Sequence, residues 1–82
     1  MKFTVVWRSE ATDKLTELWM NSSHPQAITT AANAVDQILK YMPDKRGTNL
    51  GSYWIMSVDP LDVTFTISMD DCLVTVTDVD IS

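Results

Sequence analysis

The chain has 82 residues, 45% of them apolar, and a formal net charge of −5. That length leaves room for one hydrophobic core, so the sequence reads as a single domain over residues 1–82. The apolar fraction excludes a disordered chain, and the negative overall field repels nucleic acid rather than gathering it.

Phe3 to Trp7 is rich in β-branched and aromatic residues and reads as a strand. Ser9 offers an N-cap for a helix, with Glu10 and Asp13 placed to suit its dipole. Ala11, Leu15, Leu18 and Trp19 then recur on one helix face, and Asn21-Ser22-Ser23 ends it. Ser23 or His24 caps a second helix, with Pro25 in its first turn. Ile28, Ala31, Ala32, Val35, Ile38, Leu39 and Met42 form a nearly unbroken stripe of period 3.6, the clearest periodic signal in the chain. Pro43 stops that helix, and Asp44 to Gly51 reads as a polar loop.

Three strands follow. Ser52 to Val58 is the first, closed by an Asp59-Pro60 turn. Leu61 to Ser68 alternates without interruption: Leu61, Val63, Phe65 and Ile67 on one face, Asp62, Thr64, Thr66 and Ser68 on the other. Met69-Asp70-Asp71 makes a hairpin connection, and Cys72 to Val79 is the last strand. The order β-α-α-β-β-β predicts an α+β fold, a four-stranded antiparallel sheet packed on a two-helix hairpin. The helix-two stripe is expected to lie against Leu61, Val63, Phe65 and Ile67, with Trp7 and Trp19 anchoring the core.

The pattern resembles the RelE/ParE toxin superfamily of type II toxin–antitoxin systems. Phe3 to Trp7, the Ala11-to-Leu15 helix start, Ile38-Leu39 with Pro43, then Gly47 and Leu50, carry the first part of the likeness. Pro60-Leu61-x-Val63-x-Phe65-x-Ile67, followed by Asp70-Asp71-x-Leu73-Val74-x-Val76, carries the second. The resemblance implies a fold of this order and a partner antitoxin. Ribosome-dependent members set Arg or Lys at three places around the scissile phosphate, where negative charge develops in the transition state. The matching positions here are Trp54, Asp62, and Asp78 or Asp80, so the cations are lost and at two places the sign is reversed. Such members also carry a further functional segment beyond the position where this sequence stops, at Ser82.

The charge distribution sharpens that departure. The first 46 residues hold six Lys/Arg against five Asp/Glu, a net of +1. Residues 47–82 hold no Lys, Arg or His and six acids, Asp59, Asp62, Asp70, Asp71, Asp78 and Asp80, a net of −6. Lys45 and Arg46 are the basic pair nearest the expected site; they could touch a phosphate or an acidic partner, or be ordinary loop charges. Tyr53 and Trp54 could stack on a base or on a partner, but alternation turns one of them inward.

His24 has no second His or Cys beside it for a metal or a nucleophile pair, and reads as a helix-start residue. Cys72 lacks a neighbouring cation and reads as a small strand residue; alone, it also rules out an intramolecular disulfide and fits a reducing compartment. The acids supply oxygen ligands of the kind that suit Ca²⁺ or Mg²⁺, but their spacing matches no calcium loop, and they read as a solvated face. No catalytic residue, cofactor or metal is implied. No apolar run approaches the ~20 residues of a membrane span, and Met1-Lys2-Phe3 lacks signal-peptide architecture, so a soluble cytoplasmic protein is expected.

The sequence therefore predicts a divergent toxin-family protein that acts by binding protein, either an antitoxin or a cellular target such as gyrase. The alternatives are a ribosome-dependent endoribonuclease with relocated catalytic groups, and an orphan interaction module of the same topology. An antitoxin-like partner is expected to carry Lys or Arg; without one, edge-strand pairing or contact through Tyr53 and Trp54 would give a homodimer.

Overall fold

The computed structural model describes residues 2–81; Met1 and Ser82, which bound the sequence reading, lie outside the described residues. In chain order the elements are β1 (Thr4–Trp7), α1 (Ser9–Asn21), α2 (Pro25–Tyr41), α3 (Pro43–Arg46), β2 (Thr48–Asn49), β3 (Trp54–Val58), β4 (Leu61–Ser68) and β5 (Leu73–Ile81). The strands form one sheet in the order β1-β5-β4-β3-β2.

The architecture is α+β, but the sheet has five strands and mixed direction, not four antiparallel ones. β1 runs parallel to β5, while the other pairs are antiparallel. A parallel pair needs a long crossover, and the helical hairpin lies within it. Period-2 alternation marks a strand without naming its neighbour or its direction, so this pairing is invisible to the pattern. The two-residue strand β2 is too short to alternate at all. It sits, with the single turn α3, inside what reads as a polar loop.

Element ends shift by a residue or two, as caps usually allow. Ser9 is the first residue of α1, with Arg8 at the cap position and no side-chain cap bond. His24 stands at the cap of α2, with Pro25 in the first turn, where its missing N–H costs nothing. Its own N–H donates to Ser22 Oγ at 2.9 Å. Cys72 is not a strand residue: it closes the β4–β5 turn at φ +49°, in the left-handed region.

The helices cover one sheet face. α2 contacts β1, β3 and β4, and α1 packs along β5. From α2, Ile28, Ala31, Val35 and Leu39 are buried against Leu61, Val63 and Phe65 of β4, with Val74, Val76 and Val79 of β5. Ile38 and Ile67 are only partly buried, and Met42 is exposed, so the buried stripe is narrower than the apolar one. Three buried valines on β5 require a break in alternation between Val76 and Val79. A bulge supplies it: Phe65 pairs with Val76 and Thr64 with Asp78, leaving Thr77 unmatched.

The two tryptophans divide. Trp7 is partly buried and packs on the core. Trp19 is 47% exposed, so it does not anchor the core; it stands on the rim of α1 that faces α2. No helix among the described residues is long and apolar enough to cross a membrane.

Candidate functional site

With the helices on one side, alternation sends the remaining strand positions to the other, uncovered face. Cross-strand register arranges them in rows. Ser57, Asp62 and Asp80 form one row, and Ile55, Thr64 and Asp78 the next. Val6, Thr75 and Thr66 form a third. Asp62 and Asp80 thus stand directly opposite each other, an arrangement of like charges that destabilises a ladder. Ser57 Oγ donates to Asp62 Oδ1 at 2.6 Å. Lys14, reaching over from α1, sets its ammonium 3.8 Å from both Asp78 and Asp80. These are the ion pairs among the described residues, and both acids remain open to solvent, with side chains 60% and 64% exposed. No group of three or more His, Cys, Asp or Glu among the described residues is placed to hold a metal ion.

The positions singled out from sequence do not converge. Asp62 and Asp80 are neighbours on the open face. Trp54 is on the opposite face: it pairs with buried Phe65, and the two rings stack at 6.3 Å between centroids and 20° between planes. Trp54 is therefore the inward member of its pair. Tyr53, just before β3, is exposed, and its carbonyl accepts the Leu50 N–H at 2.9 Å.

Lys45 lies with Phe3, Tyr41, Met42, Asp44 and Met69 around a hollow of about 310 Å³ at the far end of β4, and Arg46 follows it on α3. Seven residue steps along β4 separate Met69 from Asp62, roughly 23 Å at ~3.3 Å per residue. Lys45 thus stands toward the end of the sheet away from the acidic rows, whereas Arg46 precedes Gly47, which lies against Phe65 and the Ile55 carbonyl in the middle of the sheet. His24 and Asp59 both border a hollow of about 530 Å³ between the α1–α2 turn and the β3–β4 turn, where Ser23 Oγ and His24 Nδ1 stand 3.0 Å apart.

A feature the sequence reading missed is the groove between α1 and α2. It encloses about 600 Å³ and is lined by Trp7, Leu15, Trp19, Ile28 and Ala32 among threonines, Asn33 and Asp36. Both indoles are tied across it. Trp7 Nε1 donates to Asp36 Oδ1 at 2.8 Å, and Trp19 Nε1 donates to Thr29 Oγ1 at 3.1 Å. Thr29 and Asp36 are ordinary polar residues in the α2 sequence, and no local pattern names their partners, which lie on α1 and β1. The Trp7–Asp36 bond joins β1 to α2, and its carboxylate acceptor makes it stronger than a neutral bond. Asp36→Ala is expected to cost about 1–2 kcal/mol and Asp36→Asn clearly less, because an amide oxygen still accepts. Urea midpoints of the two variants check this.

No protein-family model matches the chain, and no curated protein matches it in sequence. Solved structures do match its shape. Against a chain of the toxin–antitoxin complex RelBE2 from Mycobacterium tuberculosis the TM-score is 0.85 at 16% identity, covering 100% of this chain and 93% of that one. The fold is the RelE/ParE fold. A chromosomal ParDE system from P. aeruginosa gives 0.69 at 13% identity, covering 98% of this chain and 96% of that one. The isolated E. coli RelE toxin gives 0.67 at 8% identity, over 98% of this chain and 84% of that one. At such identities a RelE/ParE-like backbone is shared, while the side chains on its open face are this chain's own.

Proposed function

We propose that this protein is a divergent member of the RelE/ParE superfamily that works by binding another protein, an antitoxin-like partner or a cellular target, and does not cleave RNA. The observation that carries the reading is the open sheet face. Cleavage of a phosphodiester needs cations where the phosphate's charge develops. That face presents Asp62, Asp78 and Asp80, and the ammonium beside them, Lys14, is already shared between two carboxylates. A phosphate brought there meets repulsion at close range.

Protein binding is supported by what the molecule leaves uncovered. Exposed Trp19 borders the α1–α2 groove and exposed Ile55 lies on the open face, while Met20 and Tyr53 are further large apolar side chains left in solvent. Solved neighbours include a toxin–antitoxin complex and an intact RelBE complex. The competing reading, a ribonuclease with relocated groups, rests on Lys45 and Arg46, which stand exposed on one turn of helix.

Inducible expression in bacteria tests the proposal. Growth is expected to slow while ribosome-bound messages stay intact. Slowed growth accompanied by cut messages would contradict it, and unaffected growth would leave only the interaction module.

A further inference from the structure

We infer that the open face of the sheet is a docking surface for a basic protein segment, one in which Lys or Arg alternates with small apolar residues. The inference rests on the protein-binding reading and adds to it the place and the chemistry of the partner.

The occupant follows from the composition of the face, row by row. At one end, Asp62 and Asp80 oppose each other directly and Asp78 stands in the next row. The carboxylates of Asp78 and Asp80 are mostly in solvent, with one shared lysine at 3.8 Å, so they retain capacity for a second cation. Asp62 takes a serine hydroxyl. Beside the acids run Ile55 and Thr64, then Thr66, Thr75 and exposed Val6, a strip of β-branched side chains that no helix covers.

Charge and contact surface therefore lie side by side within a few strand widths of ~4.8 Å. A segment with cationic side chains over the acid rows and apolar ones over Ile55 and the threonine methyls satisfies both. It also offsets the repulsion between Asp62 and Asp80, which the free protein relieves only through Lys14 beside Asp80 and the Ser57 hydroxyl on Asp62. An acidic segment is excluded by the same field, and so is a nucleic-acid backbone. Electrostatic attraction of this kind raises the association rate and fades with salt.

A dye-labelled synthetic peptide of alternating Lys and Val, with a Glu–Val counterpart, serves as the probe for the full-length chain. Anisotropy measures affinity and amide chemical shifts map the site. The Lys peptide is expected to bind and the Glu peptide not. Shifts should concentrate at Ile55, Asp62, Thr64, Asp78 and Asp80, and binding should weaken with salt. Asp62→Asn with Asp80→Asn should weaken binding about fivefold, whereas Asp13→Asn with Asp70→Asn, the same charge change away from the acid rows, should not.

Equal loss in both double variants, or shifts confined to the helices, would overturn the inference. A concentration-dependent dimer of the chain alone, abolished by Asp62→Asn with Asp80→Asn, would give the face to a second copy and overturn it too. Its failure is separable from that of the proposed function. If expression slows growth with messages intact but the Lys peptide ignores this face, only the inference falls. If the peptide binds here and the expressed protein cuts messages, only the protein-binding reading falls.

Discussion

Phe65→Ala is expected to cost about 3–5 kcal/mol, a large share of the stability a chain this small can hold. Phe65 is the largest fully buried side chain, 0% exposed at the middle of β4. It carries three contacts at once: the stacked Trp54 ring on β3, Val76 across the ladder on β5, and the chain crossing at Gly47. Truncation removes the transfer energy of a ring and leaves a cavity bounded by strands that cannot collapse together. Ile67→Ala, two positions along the same face but only partly buried, is expected to cost distinctly less. Denaturant unfolding reads both. A Phe65→Ala cost under about 1 kcal/mol would mean the sheet and helices do not meet at this residue.

Gly47→Ala is expected to destabilise by about 1–3 kcal/mol through overpacking rather than through backbone conformation. The backbone at Gly47 has φ −93°, which any residue adopts. A Cβ there would lie 2.7 Å from Phe65 Cζ and 3.3 Å from the carbonyl oxygens of Ile55 and Pro43. The ring tip has nowhere to retreat, because Phe65 is enclosed on all sides. The two sites are therefore coupled. In a Phe65→Leu background, which shortens the side chain, the added penalty of Gly47→Ala should shrink by about half or more. Additive costs in the double variant would place the strain elsewhere.

The fold was legible where periodicity is a local property. The stripe from Ile28 to Met42 and the alternation from Leu61 to Ile67 each name their buried face; Ile28, Ala31, Val35, Leu39, Leu61, Val63 and Phe65 are buried, while Ala32, Ile38 and Ile67 are only partly so and Met42 is exposed. Pairing was not legible. Nothing in Phe3 to Trp7 says that it lies parallel beside Leu73 to Val76, because strand order is set by how the helical crossover returns the chain. Val79 is buried only because Thr77 is bulged out, and a bulge moves one residue without changing composition. Trp19 misled because an apolar residue at the edge of a helix stripe can face either the core or a neighbouring helix rim.

The candidate surface was half legible. The missing cations and the run of acids are plain in the sequence, but which acids share a face depends on register. Asp62, Asp78 and Asp80 meet across β4 and β5, while Asp70 and Asp71 sit in the turn at the other end. Trp54 and Asp62, grouped by sequence likeness, lie on opposite faces of the sheet. The α1–α2 groove, with its two tied indoles, had no sequence signature because each bond joins residues on different elements.

The central claim is that the protein binds protein and leaves RNA intact. The most direct measurement adds the purified protein to ribosomes paused on a defined message and maps new RNA ends by primer extension. The account predicts the same ends with and without protein, and no change on Lys45→Ala with Arg46→Ala. New ends at the ribosomal A site that appear with the protein and vanish in that double variant would contradict it.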